Sequence, residues 1–336
     1  MLQATTQKKR IPRKARKTVI RMRTLRWRAL SCTRRRRGRA SRMHSLLEPA
    51  PISRSVALER CWAHLYARSR LLRLASAFPR ENREHLIAVL AFAAVLSEAA
   101  ETPGPAARRR ALKELADDLQ SALASSPRSA LGHCLSATVR LKELPAPTLL
   151  GPLEEIRTNV ERKSFETRRR LHEHAQAIAR PIGRALLRVV DRSSERNEVL
   201  MDALCTGFLL ARWTTHFRAH WNLGRLQLPV EELARSGIAL QAVDFAKPVP
   251  ALRPVVADQV RWIRGYFHKG WPLCAELGPW RGRLMAFFLR WHAASLSALE
   301  ARNFDVSRGV PPSGVFRFLA CTGASLLTTR PPDLLV

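Results

Sequence analysis

A chain of 336 residues, 46% of them apolar, has material for one large core or two smaller ones. This excludes a wholly disordered protein and a small disulfide-stapled scaffold. The longest apolar run, residues 86–96, is about half the roughly 20 residues that a membrane span needs, so it predicts a buried core helix instead. The net charge of +31 is spread unevenly, and the chain divides accordingly.

Residues 1–47 carry 17 of the 58 basic residues and no acid, the first being Glu48. Such a stretch cannot bury enough apolar surface to fold, so an Arg/Lys-rich disordered extension is expected over 1–47. It would take up nucleic acid or an acidic membrane face by counterion release, without base selectivity. Its one aromatic residue is Trp27, too few for base stacking. Four consecutive arginines, Arg34 to Arg37, do not make an amphipathic targeting presequence. Met43 stands just ahead of the first predicted helix of the body, and a true start there would remove most of the anomaly. The remainder has 41 basic residues against all 27 acids, a net charge of +14.

From 50 to 328 the pattern predicts a single all-α domain. Leu171, Ala175, Ile178, Ile182, Leu186 and Val189 step by threes and fours into one apolar stripe, and Leu284, Phe287, Phe288, Trp291 and Ala298 into another. No run alternates with period two, so strands are not expected. Breaks are expected at 103–105, at 145–147 with Gly151-Pro152, at 248–254 and at 311–312. Pro181 is expected to end or kink its helix. The six cysteines stand far apart with no C-x-x-C pair, which predicts free, mostly buried thiols in a reducing cytoplasm. The chain has no G-x-S-x-G, H-E-x-x-H or Walker loop to suggest nucleophilic, zinc or nucleotide chemistry.

Residues 207–229, GFLLARWTTHFRAHWNLGRLQLP, set an apolar helix ahead of a Gly224-Arg225 turn closed by Pro229. This cadence resembles the second aspartate-rich helix of the squalene/phytoene synthase family, which reads roughly Q-x-x-N-x-x-R-D-x-x-E-D and then G-R-x-Y-x-P. The likeness extends over most of 58–304. Residues 61–69 resemble the opening helix, and Leu90-Ala91-Phe92 followed by Ser97-Glu98-Ala99-Ala100-Glu101 stands where the family has an aromatic helix ending in D-D-x-x-D. Residues 164–167, leading to Pro181-Ile182-Gly183, resemble a mid-chain helix that closes on an I-G pair. Arg302-Asn303-Phe304 resembles the end of the last long helix. The resemblance implies an isoprenoid-synthase-like bundle of helices around a central cavity. It also implies a prenyltransferase that draws diphosphate from prenyl substrates with Mg²⁺.

The chemistry of that resemblance is incomplete. The two metal-binding aspartates of the second cluster fall on His216 and His220, and the cavity tyrosine falls on His174. The first cluster keeps Glu98 and Glu101 and has Ser97 for its third acid. Mg²⁺ prefers hard oxygen ligands, whereas imidazole suits transition metals. Glu98 and Glu101, three apart on one helical face, are candidates for one Mg²⁺. His216 and His220, four apart, with His174 and Glu101 across the bundle, are candidates for a transition metal. Arg212, Arg218 and Arg225 are candidates to hold diphosphate directly, helped by protonated His216 or His220, with His174 lining the same cavity.

The leading expectation is therefore a pseudoenzyme of isoprenoid metabolism that retains a prenyl diphosphate, an isoprenoid lipid or a protein partner. It is cytoplasmic or peripheral at a membrane. An active head-to-head prenyltransferase with a rearranged ion site, completed by a paired homologue, is the second reading, and polyanion binding through the tail is the third.

Overall fold

The computed structural model of the protein describes residues 43–68, 78–239, 249–307 and 314–331. The chain divides at Leu46 into a short first unit and a body from Leu46 to Val336. The basic extension expected at 1–47 lies outside the described residues up to position 42. Residues 43–47 are helical, and in the body Leu46 and Leu47 are buried, so its packing begins a few residues ahead of position 50. Ser69, Pro248 and the break expected at 311–312 also lie outside the described residues. Of the break expected at 248–254, residues 249–251 are outside any helix, and a helix starts at Leu252 with Pro254 in its first turn.

The body is helical, as its periodicity predicts, and the described residues contain no strand beyond one isolated bridge between Phe165 and Pro229. Its helices are α1 (Arg54–Arg68), α2 (Arg80–Ala100), α3 (Pro105–Leu123), α4 (Ala130–Leu141), α5 (Pro147–Thr158), α6 (Arg168–Val189) and α7 (Glu195–Thr215). They continue as α8 (Phe217–Trp221), α9 (Val230–Arg235), α10 (Leu252–Gly270), α11 (Leu273–Glu276), α12 (Pro279–Glu300) and α13 (Val315–Leu327). Local chemistry sets the starts of the long helices. Ser129, Thr167 and Ser194 each accept a backbone N–H from the first turn of α4, α6 and α7, worth about 1 kcal/mol apiece. Glu195 and Glu198 add negative charge at the positive end of α7.

The apolar run of 86–96 becomes the middle of α2. Leu86, Val89, Phe92, Val95, Leu96 and their neighbours there are buried. The α6 stripe also takes its expected place. Leu171, Ala175 and Ile178 are buried, and Ile182 and Leu186 pack on a cluster of Leu86, Val89, Leu144, Ala185, Val189 and Val190. Gly183 lets α6 approach α7 closely, because a Cβ there would lie 2.7 Å from the Cys205 sulfur and 2.9 Å from Met201. That contact gives the Ile182-Gly183 pair its physical reason. α7 packs on α6, α10 and α12, while α2 packs on α1, α3, α4 and α6.

Three expectations need correction. Pro181 does not end its helix, since α6 runs on to Val189. The apolar contacts on both sides of the proline outweigh the one backbone bond it cannot make. Gly151-Pro152 is likewise no break but sits inside α5, where Leu149, Pro152, Leu153 and Ile156 are buried. The second stripe is misplaced. α12 buries Ala286, Leu289, Ala293 and Leu296 along with Phe287, whereas Leu284, Phe288, Trp291 and Ala298 are only partly covered. Among the described residues Cys61, Cys134, Cys274 and Cys321 are free and buried, and Cys205 is free and half-buried.

Candidate functional site

The end of α2 and the end of α7 meet in a charged cluster. Glu98 and Glu101 lie one helical turn apart at the C-terminus of α2, so their carboxylates leave the same face. Both are met by guanidinium groups. Arg68, in the last turn of α1, donates to Glu98 Oε1, and His64 Nε2 lies 3.4 Å from Glu98 Oε2. Arg212, in the last turn of α7, donates to Glu101 Oε1. Ser97 joins the two pairs. Its hydroxyl donates to Glu101 at 3.1 Å and accepts from Arg68 at 3.1 Å and from Arg212 at 3.4 Å. A hydroxyl thus bridges two cations at the position where the resemblance puts a third acid.

α7 does not continue through its motif. The chain leaves the helix at His216 and resumes as the single turn of α8, which separates the two imidazoles. His216 is exposed, with Nδ1 3.0 Å from the Arg212 carbonyl and 3.1 Å from the Thr215 hydroxyl. His220 is 4% exposed, and its Nδ1 is buried without a hydrogen bond. Gly224, at φ +71°, then turns the chain. The Leu226 and Val230 amides pin the turn to the carbonyls of Lys163 and Phe165. Arg225 reaches back from the turn and donates to the Ala100 carbonyl at 3.0 Å, while its Nε stays buried without a partner.

Electrostatics follow from this crowding. Burial alone would raise the Glu101 carboxyl, but the charge and hydrogen bond of Arg212, with His220 and Arg68 nearby, bring it down to about 2. Burial and the neighbouring Arg212 lower Arg68. Burial and Arg108 bring Arg225 down to about 10. Burial pulls His220 down to about 4, with Arg212, His216 and Arg225 opposing its protonation and Glu101 favouring it. His220 is therefore neutral at pH 7, and the phosphate contact expected through its protonated form is not available there. Arg68, Arg212 and Arg225 stand around two carboxylates, and Arg108, bonded to the Thr102 and Val160 carbonyls, lies near Arg225, so the cluster keeps a surplus of positive charge.

Two expected members of the site lie elsewhere. Arg218 donates to the Ser307 carbonyl at 2.7 Å, tying α8 to the segment after α12. It is turned to a backbone acceptor because α8 begins anew after His216. His174 pairs through Nδ1 with Glu155 at 2.6 Å and lies against the rings of Trp213 and Phe165. Its partners therefore belong to an aromatic pocket between α5, α6 and α7 rather than to the charged cluster. Among the described residues no three of His, Cys, Asp or Glu come together as a metal site. The residues that sequence reasoning missed are Arg68, His64, Arg108 and Glu155. Nothing in their spacing marks them, because each gains its role only from the partner that the fold brings to it.

The squalene/phytoene synthase family model matches residues 66–317. No curated protein matches the chain. Among solved structures, the chain is similar to the squalene synthase HpnC from Alicyclobacillus acidocaldarius, with 22% identity and a TM-score of 0.66 over 79% of this chain and 99% of that one. It is also similar to a dehydrosqualene synthase in complex with ligand, with 15% identity and a TM-score of 0.72 over 81% and 96%. YisP from Bacillus subtilis subsp. subtilis strain 168 shares 14% identity, with a TM-score of 0.61 over 80% and 96%.

Proposed function

This chain belongs to the squalene/phytoene synthase family, and we propose that it is a member that binds prenyl diphosphate but does not ionise it with Mg²⁺. The observation that carries this reading is the pairing of Glu98 with Arg68 and of Glu101 with Arg212. The acids that remain of the first cluster are already neutralised by cations of the chain itself. A Mg²⁺ ion entering there would have to displace a guanidinium and leave it buried beside new positive charge. Uncompensated buried charge of that kind costs about 3–5 kcal/mol. The second cluster offers no carboxylate, only an exposed and a buried imidazole, and imidazole is a poor ligand for Mg²⁺. The donor set does not fit the ion that the resemblance implies.

What remains suits an anion. Arg212 and Arg225, with Arg68 and Arg108 behind them, supply more positive charge than Glu98 and Glu101 cancel. Guanidinium groups hold phosphate through forked hydrogen bonds. The family's helical body supplies the apolar surroundings for a prenyl chain. Ionising an allylic diphosphate needs charge stabilisation at the leaving group, and losing its ligands removes several kcal/mol of that help. The chain is thus read as a diphosphate-binding pseudoenzyme of isoprenoid metabolism. Release of diphosphate from farnesyl and geranylgeranyl diphosphate by the purified full-length chain tests the reading. No release above the protein-free rate is expected with Mg²⁺ present, and sustained Mg²⁺-dependent release would overturn it.

A further inference from the structure

The helix α13 turns its apolar side away from the protein. At 100° per residue, Phe316, Leu319, Ala320, Gly323, Leu326 and Leu327 fall within one arc of about 120°. All six are exposed, Phe316 and Leu327 almost completely at 89% and 87%, and no polar side chain interrupts the arc. The opposite side carries Cys321 and Ser325, which are buried, and Phe318, whose ring packs on Phe287 and Trp291. A helix that only completed its own core would be arranged the other way.

Polar bonds hold the helix in this orientation. Arg290, from α12, donates to the Ser325 hydroxyl at 3.1 Å and to the Arg330 carbonyl at 2.7 Å. Trp271 donates to the Thr329 carbonyl at 2.5 Å. Arg317 donates to the Trp291 carbonyl at 2.6 Å and to the Ser295 hydroxyl, and its guanidinium lies over the Trp291 ring. The outward face is therefore fixed from both ends of the helix.

We propose that α13 docks on an anionic lipid bilayer, lying in the plane of the headgroups with this face against the acyl chains. Charge selects the occupant. Residues 314–331 contain no acid and Arg330 is exposed, within a body of net charge +14. Such a surface is attracted to anionic lipid, whereas pairing with a second copy would bring two strongly positive bodies together. Among the described residues no helix is long and apolar enough to cross a membrane. An apolar face on a helix of this kind binds within the interface plane. The inference does not rest on the diphosphate reading.

Sedimentation of the full-length chain with vesicles of phosphatidylcholine containing about one third phosphatidylglycerol tests it. The wild-type chain is expected to partition to the vesicles, and the double variant Leu319→Glu/Leu327→Glu roughly tenfold or more weakly. Both chains carry the basic tail, so its pull on the vesicles cancels in the ratio. A second measurement uses Phe316→Trp, whose added fluorescence should be quenched by brominated lipid while that of the parent changes little. Equal partition of wild type and double variant would overturn the proposal, as would an unquenched Trp at 316. A wild-type dimer in solution that the double variant dissolves would also overturn it, by naming a second copy as the occupant.

Discussion

The end of α2 and the junction of α7 with α8 feed one charged cluster, yet they stand at different distances from the pattern they resemble. α2 has two of three acids and holds both in ion pairs. The α7–α8 junction has none, and it offers a guanidinium, an exposed imidazole and a buried one. Read as half a metal site, Glu98 and Glu101 suggest a weakened version of the Mg²⁺ chemistry that the resemblance implies. Read with their partners they are something else, namely carboxylates whose counter-charge is built into the chain. A retained ligand carries its former chemistry only if the space around it is still free for the ion.

That comparison is most easily broken at Glu98, whose side chain is 8% exposed against 15% for Arg68. Glu98→Ala should leave Arg68 buried and uncompensated and cost about 3–5 kcal/mol in urea unfolding. Replacing both residues with apolar ones of similar size should recover most of that loss. A cost under about 1 kcal/mol for the single change would place the pair among ordinary surface salt bridges.

The two halves should also separate in their pH dependence. Burial depresses His220 to about 4 from a free value of 6.5, so the unfolded chain takes up its proton first. Stability from the neutral imidazole is complete above about 6.5 and is lost as pH falls towards 4, by up to about 3 kcal/mol. Glu101 is depressed to about 2 from 4.5. Its contribution is complete above about 4.5 and is lost as pH falls from there towards 2. In melting temperature against pH, His220→Leu should flatten the upper window and Glu101→Gln the lower one. One common transition that both variants shift would contradict two separate groups.

A smaller effect sharpens the assignment of the arginines. Arg218→Ala removes a bond to the Ser307 carbonyl and should cost about 1 kcal/mol, without changing the thermal shift produced by a prenyl diphosphate. Arg225→Ala should diminish that shift. The reverse order would mean that Arg218 leaves its carbonyl to meet the ligand.

The fold was legible because its signals are local and repeated. The α6 stripe, the apolar run in α2 and the Gly224 turn each declare themselves within a few residues. Pro152 misled, and Pro181 does not end its helix, because a proline weakens one turn while packing acts over the whole helix. The site was legible only in part. The positions of Glu98, Glu101, His216 and His220 came from their order along the chain, but their state depends on Arg68 and Arg212, brought from other helices by packing. His174 shows the same limit. Its place in the sequence resembles a cavity position, and Glu155 with the Trp213 and Phe165 rings decides what it does.

The most direct test of the account is the melting temperature of the full-length chain with farnesyl diphosphate, measured in excess chelator and again in millimolar Mg²⁺. Binding to the native state raises the melting temperature by mass action. If guanidinium groups hold the phosphates, the rise should appear in chelator and stay essentially the same when Mg²⁺ is added. A rise that is absent in chelator and appears only with Mg²⁺ would contradict the account, because Glu98 and Glu101 would then be binding the ion despite Arg68 and Arg212.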